Sequence, residues 1–281
     1  TTRKEVAPLV RHDITSRSGI RFTSACFPGK DWSLAPLQRP EDVAANRPLA
    51  QKLSGALHHL GAARAFTPSP VKFNGRVILP EQLLLMLNLG SGTLLFRNQN
   101  APADGTLLRS PRDAGIFSAG GCGMIVAARG EHLAFAHAGR DCVIDRKRVL
   151  TGTPSREMES VADYLVSALL LAGHFVKAED IQIWVFYSIR PDDFLHRYDN
   201  EEHGEYNRLI GPDLESRGLG AGCYRSSEGV SLDVPLVIRE QFLRRGVPSE
   251  NISLEHAYLA DELPTTRNGG GRYLAAVVRH S

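Results

Sequence analysis

Gly120-Gly121-Cys122-Gly123-Met124-Ile125-Val126-Ala127-Ala128-Arg129-Gly130-Glu131-His132-Leu133-Ala134-Phe135-Ala136-His137-Ala138-Gly139 reads as two apolar, strand-like runs on either side of a two-residue turn at Arg129-Gly130. With that turn Ala128 faces Glu131, and counting outward makes Cys122 the direct partner of His137. Directly opposed residues of an antiparallel pair share one face, with Cβ atoms about 4.5–5.5 Å apart. A thiol and an imidazole at that separation form a nucleophile with its own base. Gly120, Gly121 and Gly123 leave the backbone around Cys122 open to close approach, and exposed N–H groups there can stabilise an oxyanion. Reactivity requires a thiol pKa lowered from about 8.5 toward roughly 3.5–7.5. The plainer reading stands beside it. Met124, Val126, Leu133 and Phe135 fall on the same face, which suits a core hairpin holding a buried cysteine and a satisfied histidine.

Working outward, the 281-residue chain is long enough for a sizeable core. A hydrophobic share of 42%, a charged share of 23% and a net charge of +2 describe an ordinary globular protein with no electrostatic case for nucleic acid. The longest apolar stretch, Leu165 to Ala172, is too short to span a bilayer. Four cysteines (Cys26, Cys122, Cys142 and Cys223) are widely spaced, which argues for a reducing, cytoplasmic setting. Cys142 lies five residues after His137, close enough in sequence for a disulfide with Cys122. The expected partner is a small-molecule substrate, with neither nucleic acid nor membrane.

Along the chain, a hairpin is expected over 14–27, broken at Ser18-Gly19, then a helix over 40–60 that Pro48 kinks or restarts. A strand is expected over 71–79, a short helix over 81–89, a strand over 94–97 and a loop over 98–105. Thr153 and Pro154 open the clearest helix, closed by Gly173, and a strand follows over 181–189. The polar, glycine-rich stretch 197–229 reads as a long loop or insertion. A helix over 237–245 and a terminal strand over 273–278 complete the chain. Strands and helices without strict alternation indicate an α+β fold, read as a single domain over 1–281.

Several short signatures line up in one order over nearly the whole chain. They are Ile14-Thr15-Ser16-Arg17-Ser18-Gly19, Val43-Ala44-Ala45-Asn46-Arg47, Ala103-Asp104-Gly105 with Pro111, Gly120-Gly121-Cys122, Ala136-His137-Ala138-Gly139-Arg140, Arg245-Gly246-Val247-Pro248 and Thr266-Arg267-Asn268-Gly269-Gly270-Gly271-Arg272. In this order they resemble the YfiH-like family, also called laccase-domain or polyphenol-oxidase-type proteins. The resemblance implies two packed mixed β-sheets flanked by helices, a four-layer α/β/β/α fold related to that of the cytotoxic necrotizing factors and other Cys–His deamidases. Members of the family act as purine nucleoside phosphorylases, some also deaminating adenosine, and use one Cys and two His that can also hold zinc. Carried over, the Cys is Cys122 and one His is His137. The second His belongs to a Gln-Val-His-Gly motif, and the matching stretch here is Val71-Lys72-Phe73-Asn74-Gly75, so Asn74 replaces it. The Trp of the family's His-Ala-Gly-Trp-Arg is absent, Gly121 replaces the Asp before the Cys, and the fifteen-residue spacing from Cys122 to His137 is shorter than in typical members.

Two protein ligands hold zinc poorly, since catalytic sites generally use three, so no cofactor is expected and zinc is disfavoured. The leading reading is a Cys–His enzyme acting on a C–N bond of a purine nucleoside or related small heterocycle, by phosphorolysis or hydrolytic deamination. Cys122 and His137 would be catalytic. Asn74, Asn46, Arg47, Asp104, Gly121, Gly123 and Arg140 would contact substrate. Two further readings stay open: a protein glutamine deamidase of the toxin type, and a degenerate homologue that binds without catalysis.

Overall fold

The computed structural model describes residues 6–29, 32–68, 75–97, 103–174, 177–259, 265 and 271–281. Two large mixed sheets pack face to face. One has seven strands in the spatial order Val10–Thr15, Arg21–Phe27, Tyr273–Arg279, Asp113–Ala119, Arg64–Thr67, Leu94–Arg97, Leu85–Asn88. The other has six: Ile252–Ser253, Gln182–Phe186, Gly123–Arg129, His132–Ala138, Gly105–Leu108, Val77–Ile78. A third sheet of three short strands, Leu195–Arg197, Gly229–Leu232 and Cys223–Arg225, stands apart from both.

Period-two alternation decides which residues meet between the sheets. In His132–Ala138, Leu133 and Phe135 point into the inter-sheet core beside Phe22, Phe117 and Val277. Ala134, Ala136 and Ala138 point the other way, onto the Val161–Ala172 helix. Alanine on that face lets the helix lie close. Phe135, fully buried, contributes roughly 1.5–3 kcal/mol by leaving water. It needs Gly115 opposite, because a Cβ there would lie 2.2 Å from its ring. The outer face of the seven-stranded sheet is covered by the Arg47–His59 helix through Leu53 and Leu57. The layers are therefore helix, sheet, sheet, helices, the four-layer α+β arrangement. Among the described residues no helix is long and apolar enough to cross a membrane.

The hairpin over 14–27 is present as Val10–Thr15 and Arg21–Phe27, and the helix over 40–60 restarts at Arg47, next to Pro48. Four expectations fail. Residues 81–89 form a single 3₁₀ turn, Pro80–Gln82, and then the edge strand Leu85–Asn88, because that leucine-rich run pairs with Leu94–Arg97 instead of packing as a helix face. The expected loop 98–105 gives way at its end to the strand Gly105–Leu108, which pairs with both His132–Ala138 and Val77–Ile78. The long helix begins at Val161, not near Thr153, because Ser160 accepts the N–H of Asp163 and caps it there. The stretch 197–229 is not a loop: it contains the helix Gly204–Ser216, whose buried Tyr206, Ile210 and Leu214 recur at helical spacing, and the strand Cys223–Arg225 of the small sheet.

The chain crosses from one large sheet to the other through Gly120, Gly121 and Cys122, between Asp113–Ala119 and Gly123–Arg129. That crossing lies at one end of the sandwich, and the candidate site forms there.

Candidate active site

The hairpin register differs from the one expected. Arg129 pairs with His132, His137 with Met124, and Ala138 with Gly123. The turn is Gly130-Glu131, with Gly130 at φ 54 and Glu131 outside the positive-φ region, the pattern of a type II′ turn. Arg129 in the first turn position would have to take a positive φ that glycine takes freely. The register is thus shifted by two residues. A shift of two, unlike a shift of one, leaves every side chain on its own face. Cys122 remains on the face of His137 but lies diagonal to it, with Gly139 directly opposite.

Gly139 makes the diagonal contact possible. A Cβ at that position would lie 3.0 Å from Cε1 and 3.3 Å from Nε2 of His137, and 3.4 Å from Sγ of Cys122. With only hydrogen there, the Cys122 thiol and the imidazole meet in a hydrogen bond. Phe117 holds the ring edge-on, with centroids 5.0 Å apart.

On its other side His137 has a carboxylate. Asp104 immediately precedes the strand Gly105–Leu108 and so stands beside His137: its carbonyl accepts the His137 N–H at 2.8 Å. Its Oδ1 lies 3.0 Å from Nδ1 of the imidazole, and its Oδ2 accepts the backbone N–H of Gly75 at 2.7 Å. The order Asp104, His137, Cys122 is that of an orienting acid, a base and a nucleophile.

The electrostatics agree. Burial by itself raises the Cys122 thiol, but the charge and hydrogen bond of His137, with the charge of Arg272, outweigh it, so the thiol is held below its ordinary value. Burial by itself lowers His137, yet Cys142, Cys122 and Asp104 together raise it well above 6.5. Cys142, whose Sγ is 3.4 Å from Nδ1, is pushed up to about 12, first by burial and then by Asp104. The two shifts run in opposite directions, each in part through the other partner, which is the direction that favours a thiolate beside an imidazolium. Cys122 and Cys142 are both free, on opposite sides of the ring, not joined in a disulfide.

Cys122 and His137 form the floor of a cavity of about 500 Å³, which the small sheet and the Gly204–Ser216 helix border through His196, Asn200 and Asn207. Arg140 lines it too. Its Nη1 donates to Nδ1 of His196 at 3.1 Å and to Oδ1 of Asn207 at 3.4 Å, its Nε donates to Asp141 at 3.0 Å, and its guanidinium lies over Tyr206. A guanidinium only donates, so His196 is fixed with its proton on Nε2.

The other expected site residues lie elsewhere. Gly121 and Gly123 are buried behind Cys122 and do not border the cavity. Asn46 donates to the carbonyl of Asp42 at the junction of two helices, and Arg47 borders a different groove on the outer face of the seven-stranded sheet. Asn74 lies outside the described residues. Asn207 was missed because it was assigned to a loop, His196 because it lies between the strand expected over 181–189 and that loop, and the place of Asp104 beside His137 because Asp104 was assigned to a substrate contact. The helical spacing of Tyr206, Ile210 and Leu214 was the available signal.

Among the described residues one group is compact enough for a metal ion, Asp104, His137 and Cys142, all buried, with donor atoms within 4.8 Å of one another. To hold an ion there, Cys142 would have to give up its proton and Nδ1 of His137 would have to leave Asp104.

No family model matches the sequence, and no curated protein matches it. Solved structures do. YlmD from Geobacillus stearothermophilus aligns over 96% of this chain and 99% of its own, with a TM-score of 0.56 at 17% identity. A Neisseria meningitidis protein described as DUF152 aligns over 97% and 99%, with a TM-score of 0.58 at 14% identity. This chain has the YfiH-like fold. The hypothetical protein YfiH of Bacillus licheniformis aligns over 95% and 98%, with a TM-score of 0.50 at 14% identity.

Proposed function

We propose that the protein is a Cys–His enzyme that acts on a C–N bond of a small polar heterocycle, best matched by a purine nucleoside. The observation that carries this reading is the line Asp104–His137–Cys122 at the floor of a cavity that His196, Asn207 and Arg140 also line. In deamination the Cys122 thiolate attacks the carbon bearing the amino group, and the His137 imidazolium gives its proton to the departing nitrogen, which leaves as ammonia. The neutral imidazole then takes a proton from water, whose oxygen displaces the thiolate. Asp104 keeps the ring oriented with Nε2 toward the sulfur. In phosphorolysis the same imidazolium protonates the leaving base while inorganic phosphate attacks the sugar carbon. His196, Asn207 and Arg140 supply donors and acceptors suited to a heterocycle edge.

The cavity favours a small molecule over a glutamine side chain on a protein, since the small sheet and the Gly204–Ser216 helix border it. The test is to incubate the protein with adenosine, with and without inorganic phosphate, and to follow products by mass. Inosine and ammonia identify deamination, and adenine with ribose 1-phosphate identifies phosphorolysis. Either must disappear in Cys122→Ala. If neither forms over a panel of nucleosides while a glutamine peptide is deamidated, the toxin-type reading replaces this one.

A further inference from the structure

The hydroxyl of Tyr273 lies 2.9 Å from the carbonyl oxygen of Cys122 and 2.8 Å from that of Tyr187, in a side chain that is wholly buried. The backbone N–H of Gly121 is turned to the same hydroxyl. Tyr273 opens the strand Tyr273–Arg279 and pairs with Ala119, the last strand residue before the chain crosses between the sheets.

The crossing has little shape of its own. Gly120 and Gly121 have no side chains to pack, and Gly121 takes φ +130, which other residues rarely adopt. Its conformation is imposed from outside. Ile189 donates its N–H to the Gly121 carbonyl at 3.0 Å, and the Tyr273 hydroxyl engages the next carbonyl along. Tyr187 supports the arrangement. Buried and at φ 60, an uncommon conformation for a bulky residue, it ends Gln182–Phe186 and turns its carbonyl onto Tyr273, while its own ring is held by Ser24 at 2.8 Å.

We propose that Tyr273 is a positioning residue for Cys122: its hydroxyl fixes the backbone on both sides of the cysteine and so keeps the thiol within diagonal reach of His137. The inference rests on the reading of Cys122 and His137 as a nucleophile with its base. Tyr273 touches neither the thiol nor the cavity, and it acts through the backbone of Gly121 and Cys122.

The experiment reads the rate of Cys122 alkylation by iodoacetamide against pH, by peptide mass, in the wild type and in His137→Ala, Tyr273→Phe and Ser24→Ala. Tyr273→Phe keeps the ring and removes the one hydroxyl proton that the Cys122 and Tyr187 carbonyls share. It is expected to slow alkylation at neutral pH by about tenfold and to move the midpoint of the profile upward. Ser24→Ala removes a buried hydroxyl on the far side of Tyr187, and it is expected to lower stability without moving the profile. Para-aminophenylalanine at position 273 offers two N–H donors, one for each carbonyl. It is expected to restore the wild-type profile, and it serves in place of Tyr273→Phe if that chain does not fold, with the fully retained profile as the result required. If the wild type and His137→Ala share one profile, the nucleophile–base reading falls and this inference with it. If those two differ but Tyr273→Phe follows the wild type, or para-aminophenylalanine does not restore it, the positioning role is overturned while the pair stands.

Discussion

The two ends of the hairpin Gly123–Arg129 and His132–Ala138 each carry a histidine, and the two are shifted in opposite directions. His132, at the turn end, is half-buried, and burial holds its pKa below 6.5 against the pull of Glu131. His137, five residues on and on the opposite face, is raised well above 6.5 although it is more deeply buried. Burial acts in the same direction on both. What differs is company: two thiol groups and a carboxylate stand against His137, whereas cationic side chains outnumber the one carboxylate near His132. At the turn end the strands close in full pairing and Arg129 is tied to the carbonyl of Lys177 and to Asp180. At the open end the pairing stops at Gly123 and Ala138, and a side chain is missing opposite Cys122. Register is set at the closed end, and chemistry is carried at the open end where pairing has been given up.

The largest effect is expected from His137→Ala. Without the imidazolium, burial and the charge of Asp104 raise the Cys122 thiol against Arg272 alone. Alkylation near pH 7 should fall by about a hundredfold or more, since only the thiolate reacts. Cys26, which burial pushes up with no imidazole beside it, is the internal reference and should stay unlabelled in both proteins. An unchanged rate at Cys122 would mean that the open end is as inert as the closed one. Next comes Gly139→Val, which inserts carbon between the ring and the sulfur where a Cβ already falls 3.0 Å from the imidazole. The loss should be about tenfold, with the fold retained.

A smaller and more diagnostic effect lies in the pH dependence of the pair. His137, raised when folded, adds stability that is complete below 6.5 and is lost as pH rises through its folded value. Cys122, lowered when folded, adds stability that is complete above 9.0 and is lost as pH falls through its folded value. Their mutual attraction exists only between the two folded values. A double-mutant cycle with Cys122→Ala and His137→Ala, read as urea midpoints, should give its largest coupling near neutral pH and vanish toward both extremes. A coupling that is flat with pH would make the contact one of packing alone. Asp104→Asn in the same series should narrow the window from its alkaline side, by lowering His137.

Much of this was legible in the sequence, and the failures share a cause. The inward face of the hairpin followed from alternation alone, because a shift of two residues preserves it. Its register did not, because Gly130 fits either turn position on composition and only the need for a positive φ at the first of them decides. Asp104 could not be assigned to His137 while its strand was hidden behind a loop-like Asn-Pro-Asp-Gly composition. The cover of the cavity was lost for a similar reason: glycine and charge in 197–229 outweighed the periodic Tyr206, Ile210 and Leu214. Tyr273 lies about 150 residues from Cys122 in sequence, and no spacing rule links a strand's first residue to a carbonyl in the opposite sheet.

The smallest effect tests the closed end. Gly130→Ala puts a side chain at φ 54, a region that alanine enters at a cost of roughly 1–2 kcal/mol. The substitution should therefore lower the urea midpoint by an amount of about that size. The register itself should survive, since the alternating inward faces of both strands and the Arg129 contacts hold it independently of the turn. Seven residues separate Gly130 from His137, and the strand between them is fully paired, so the strain has no route to the thiol. Alkylation of Cys122 is expected to keep its wild-type rate and pH profile in the destabilised protein. A profile that moves with Gly130→Ala would mean that the turn and the crossing share one strained unit. The contrast between a closed end that fixes register and an open end that carries reactivity would then have to be abandoned.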